Sequence, residues 1–125
     1  MNNLGALEKM MEYGVPSNNN IKIKDYLSKE YPLSESFHID DTAKKIEVNF
    51  DYICYPAEQG TESNLQDIEI RIDVDGIERV AVKETQGTIN LSEWITAGGW
   101  HEITIHSSML IKIVGQLSIK SYVRF

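Results

Sequence analysis

Acidic side chains dominate the residue types that could do chemistry here, and they crowd at Asp73-Val74-Asp75-Gly76. The run looks like a fragment of a calcium loop. Such a loop needs further oxygen ligands at later odd positions and a closing Glu. Ile77, Arg79 and Val80 follow instead. The run therefore fits a tight turn with solvated carboxylates better than a cation site. The three histidines give no ligand set. His101 and His106 differ in strand parity, His38 lies far off in sequence, and no pair has a metal-binding spacing. They are expected to be structural or surface residues. Cys54, between Ile53 and Tyr55, reads as a small buried hydrophobe with no partner base for nucleophilic work. No G-x-S-x-G elbow, phosphate-cradling glycine loop or H-E-x-x-H occurs. No catalytic, cofactor or metal residue is assigned, and an enzyme is not expected. Two tryptophans remain. Trp94 is placed in the core. Trp100 shares its strand parity with Glu102 and Thr104, opposite to Ile103 and Ile105, which in a regular strand puts it on the wet face, either as a ligand or partner contact or half-buried under the neighbouring loop.

The elements that would position these residues are mostly strands. Ile68, Ile70, Ile72 and Val74 alternate with Glu69, Arg71, Asp73 and Asp75, so one face is core and the other wet. Asp75-Gly76 then favours the positive-φ geometry of a hairpin turn. Val80 and Val82 form the return strand, with Arg79 and Lys83 outward. Phe37 and Ile39 begin the β region, Asp40-Asp41-Thr42 turns it, and Ile46, Val48, Phe50 and Tyr52 mark a long half-buried strand toward Tyr55. Pro56 ends its regular pairing, and residues 57–66 read as an exposed polar tip. A short strand spans Thr88 to Leu91, Ser92 caps one helical turn through Ile95, and Gly98-Gly99 resets the chain. The last strand runs from about Leu110 to Phe125. Val114 and Leu117 share a face there only if a bulge intervenes, with Gly115 as its position.

The N-terminal third reads differently. Leu4, Leu7, Met10 and Met11 make a narrow stripe at helical spacing, and Gly14 and Pro16 stop it. Ile21 and Ile23 could form a short strand, but Ile23, Tyr26, Leu27 and Tyr31 better suit a second short helix from about Lys24 to Glu30, ending before Pro32. The expected organisation is a helical arm at 1–33 and a β-sandwich at 34–125. The fold class is mainly β: an antiparallel, jelly-roll-like sandwich with a short helical N-terminal extension.

Composition narrows the partners. The 125 residues carry a net charge of −7. Residues 32–90 hold thirteen acids against five bases, which disfavours nucleic acid and anionic membrane surfaces. No apolar run is long enough to span a bilayer, and the opening residues lack a secretory pattern. The lone cysteine fits folding in a reducing cytoplasm, or in a particle assembled there and later released.

The stretch DIEIRIDVDGIERVAVKETQGTINLSEWITAGGWHEITI resembles the galactose-binding-like jelly rolls used as sugar-binding modules. The overall layout, with SEWITAGGWHEITIHSS and GQLSIKSYVRF, also resembles small bacteriophage virion proteins that carry a helical N-terminal extension. The second resemblance implies a structural subunit of a tail, collar or head, assembled in the host cytoplasm and carried in the virion. Its arm would dock through Leu4, Leu7, Met10, Met11, Tyr26 and Leu27 to other virion subunits or to further copies in a homo-oligomer, packing of the stripe on its own sandwich being the alternative. The first implies a carbohydrate-binding module, with cell-surface sugar as partner and Trp100 as contact. A third expectation, an assembly chaperone or inhibitor, draws only on the acidic faces.

Overall fold

The computed structural model describes residues 16–57 and 62–123. Among these described residues eight strands form two four-stranded antiparallel sheets. They are β1 (Ser17–Leu27), β2 (Leu33–Ile39), β3 (Ala43–Pro56), β4 (Ile70–Val74), β5 (Ile77–Val82), β6 (Gln86–Asn90), β7 (Gly99–Ser107) and β8 (Ile111–Val123). The first sheet has the order β1-β8-β3-β6 and the second β2-β7-β4-β5. Successive strands cross between sheets except at the β4–β5 hairpin. This is the wound-up double Greek key of a jelly roll.

Period-two patterning explains the layers. Ile46, Val48, Phe50, Tyr52 and Cys54 of β3 face inward, as do Ile111, Ile113, Leu117 and Ile119 of β8. Across the sandwich they share one core with Phe37, Ile39, Ile70, Ile72, Val74, Ile103 and Ile105. Each fully buried aliphatic contributes roughly 1.5–3 kcal/mol.

Several expectations need correction. Residues Lys24 to Leu27 belong to an eleven-residue strand, not a helix. Backbone pairing decides this: β1 lies along β8 in unbroken register from Ser17↔Ser121 to Leu27↔Ile111. The expected boundary at residue 33 therefore cuts through the domain, and the described part of the supposed arm is an edge strand of the sandwich. A chain shortened to Pro32 would lose β1. The predicted first helix, with Leu4, Leu7, Met10 and Met11, lies outside the described residues.

Gly115 is not a bulge. Strands β3 and β8 pair regularly there, Tyr52 opposite Gly115, and Val114 points outward while Leu117 points in. Gly115 is instead a close approach: a Cβ would run into the Asp51 carbonyl and press on the Phe50 ring. The register shifts lie elsewhere, between Ala43 and Lys45 in β3 and between Ile72 and Asp73 in β4. Ser92 opens a 3₁₀ turn, Ser92–Trp94, without capping it. Its Oγ accepts the Val48 N–H at 2.9 Å, which staples the turn to β3. Part of the expected polar tip, Glu62–Asp67, is another 3₁₀ helix, with Leu65 packed on the core.

Candidate functional site

The β4–β5 turn is the hairpin that Asp-Gly predicts, with φ of 52° at Asp75 and 84° at Gly76. Its carboxylates are anchored rather than simply solvated. Asp75 Oδ1 accepts the Glu102 N–H at 2.8 Å, and Asp75 Oδ2 lies 2.7 Å from His101 Nδ1. His101 Nε2 lies 2.7 Å from the Ala97 carbonyl, so the ring is clamped between the hairpin and the loop before β7. On the outer face Asp73 Oδ2 lies 2.9 Å from His106 Nε2. Arg71 Nε donates to Glu69 at 2.6 Å, and Nη1 stands 3.6 Å from Glu78. The Glu69 hydrogen bond and the two nearby carboxylates hold the Arg71 guanidinium above its usual value. These acids already have partners. Among the described residues no group of three His, Cys, Asp or Glu side chains is arranged to hold a metal ion.

Cys54 is buried in the core, as expected. Burial pushes its thiol up to about 11, the wrong direction for a nucleophile. Its neighbour two residues back on the same face, Tyr52, is pushed up to about 12 by burial first and then by Cys54 and Glu84. The Tyr52 hydroxyl donates to the Glu84 carbonyl at 2.9 Å.

The two outer faces differ in character. On the first sheet, register places Tyr26, Lys112 and Tyr55 in one row across three strands. The next row is Lys24, Val114, Ile53 and Gln86. Tyr26, Ile53 and Tyr55 are 57%, 41% and 45% exposed. Together with half-buried Val114 they make a contiguous apolar patch with two lysines in it. Of the docking residues expected from sequence, Tyr26 thus lies on an open face. Leu27 does not: it is 1% exposed and belongs to the core, because strand alternation turns it inward beside Ile111. Ile53, Tyr55 and Val114 were not anticipated as surface residues. The signal is present in Tyr52-Ile53-Cys54-Tyr55, where four successive apolar residues break an otherwise strict alternation.

On the second sheet the outer face is polar. Trp100 stands on it 73% exposed, as its parity predicts, and His38 is its cross-strand neighbour. The rings meet edge to face, centroids 5.2 Å apart. Trp94, by contrast, is half-buried against the core. At the β2–β3 turn Asp40 accepts Thr42 N–H at 2.8 Å and Thr42 Oγ1–H at 2.6 Å, and these bonds hold its carboxyl below the usual range. The next residue, Asp41, reaches back to 3.6 Å from His38 Nε2. A depression lined by Asn18, Asn19, His38, Asp40, Asp41 and Thr42 borders the group.

No protein-family model matches this chain, and no curated protein does. Solved structures share its fold. VP2 in the subviral particle of infectious bursal disease virus superposes with a TM-score of 0.53 at 11% identity, over 90% of this chain and 34% of that one. Dimeric latent PorU from Porphyromonas gingivalis gives 0.51 at 7% identity, over 90% of this chain and 13% of that one. The chain therefore corresponds to a part of each of these larger proteins. At such identities the likeness is one of fold.

Proposed function

We propose that this chain is a non-enzymatic structural component of a bacteriophage virion, built to dock onto neighbouring subunits. The observation that carries the reading is the apolar patch of Tyr26, Ile53, Tyr55 and Val114 on the outer face of the first sheet. Contiguous apolar surface of this kind marks protein contact. The occupant we propose is the N-terminal stripe of a second copy, Leu4, Leu7, Met10 and Met11, whose neighbours Glu8 and Glu12 are opposite in charge to Lys24 and Lys112 of the patch. Phage origin is supported by the layout resemblance alone, and a jelly roll is an architecture that capsid proteins use.

Light scattering on the full-length chain beside one starting at Pro16 tests the proposal. The full-length protein is expected to be oligomeric and the shortened one a folded monomer. Equal masses for the two would sink it.

A second reading, a carbohydrate-binding module, is favoured by a separate observation, the exposure of Trp100 on the opposite face. The two roles use different sides of the sandwich and are compatible.

A further inference from the structure

We infer that Trp100, His38 and Asp41 form a binding site for a neutral pyranose, the inference resting on the carbohydrate-binding reading and giving it a place and a ligand class. An indole 73% exposed on a strand leaves a large apolar surface in water. Unlike the patch on the first sheet, it stands alone. The outward neighbours of Trp100 are His38 across the strand pair, Glu102 two residues along, and Ser36 opposite Glu102. A protein contact requires a contiguous apolar centre, and none surrounds this ring. A ligand with one small apolar face and a polar rim fits it. A pyranose has that shape: axial C–H groups on one side and hydroxyls around the edge.

The ring is held for such a ligand. His38 packs edge-on against it at 65°, limiting its rotation from one side. Gly98 lets the β2–β3 turn close onto the start of β7, where a Cβ would run into the Asp40 carbonyl and the Asp41 backbone, and Gly99 follows at φ 105°. A Cβ added at Gly99 would lie 3.8 Å from Asp41 Oδ1, so the carboxylate sits over the residue preceding Trp100. Asp41 and His38 are spaced for hydroxyls. Their 3.6 Å separation is too long for a hydrogen bond, and among the described residues neither side chain has a closer polar partner. A sugar hydroxyl can donate to Asp41 and contact His38 Nε2 at once, and a vicinal pair can donate to both carboxylate oxygens. Charge selects the class. Asp41 lies beside His38 and the residue preceding Trp100, and Glu102 follows two residues along the same face, so sialylated or sulfated sugars are repelled and neutral ones accepted.

The test is a glycan array probed with the full-length chain, followed by fluorescence titration with the best neutral oligosaccharide. Saturable binding is expected to weaken about tenfold or more in Trp100→Ala and to persist within a few-fold in Trp100→Phe. Asp41→Asn should weaken it, and sialylated glycans should bind no better than neutral ones. All three positions are at the surface, so matched thermal unfolding confirms that the variants fold. Binding that Trp100→Ala leaves unchanged would overturn this site while preserving a carbohydrate-binding module elsewhere on the chain. No binding to any glycan would remove both, and preferred binding to anionic glycans would overturn the ligand class.

Discussion

Cys54 and Tyr52 sit two residues apart on the inward side of β3, and both are kept protonated by the core around them. Folding raises the thiol from 9.0 to about 11 and the phenol from 10.0 to about 12. The native state thus holds both protons more tightly than the unfolded chain does. Their contribution to stability is whole below pH 9 and declines as pH rises, first through 9–11 and then through 10–12. Denaturant melts between pH 8 and 11 should show this fall, and Cys54→Ala should delay its onset by about one pH unit, to the unfolded phenol's range. Stability that stays flat across the interval would contradict it. Accessibility gives a companion readout: the native thiol should resist a thiol reagent until the chain is unfolded.

At the scale of elements, β1 is where sequence and structure part most. Strands β3 and β4 were legible because inward Ile, Val and Phe alternate with outward charges, and period two has one simple solution. In β1 the first four residues are Ser17, Asn18, Asn19 and Asn20, with nothing to bury, and Ile23, Tyr26 and Leu27 have helical spacing. Ile21 and Ile23 offered a short strand that the helical spacing outweighed, and pairing with β8, about a hundred residues away, makes the whole segment a strand. The site on the second sheet was half legible for the same reason. Parity exposed Trp100, whereas His38 joins it through the β2–β7 register and Asp41 through the β2–β3 turn. The correction makes a sharp prediction about adjacent residues. Leu27→Ala should cost about 2–5 kcal/mol as a core truncation, while Tyr26→Ala should stay within about 0.5 kcal/mol as a surface change. A chain beginning at Pro32 should unfold or aggregate, because it bares the edge of β8 and uncovers Ile113 and Leu117. Equal stabilities for the two point variants, or a soluble folded Pro32 chain, would return β1 to the status of an arm.

Considered as a whole, the molecule is one core with two unlike outer surfaces. Both sheets contribute to the same buried cluster, so the domain should unfold in a single cooperative step. The surfaces, however, need not communicate. The patch of Tyr26, Ile53, Tyr55 and Val114 and the group around Trp100 belong to different sheets, with the core between them. Sheets in a sandwich stack ~10 Å apart, and changes separated by more than about 7–10 Å with no shared partner usually add independently. Charge placement reinforces the division: Lys24 and Lys112 accompany the apolar patch, whereas Asp40, Asp41 and Glu102 accompany the tryptophan. Ile53→Lys sets a third positive charge in the patch and should abolish self-association in light scattering while leaving sugar titration unchanged. Trp100→Ala should do the reverse. The double variant should show both losses, each equal to that in the single variant. A single substitution that removed both activities, with its thermal transition intact, would mean that sugar contact and assembly share one surface, and the assignment of separate roles to the two sheets would fall.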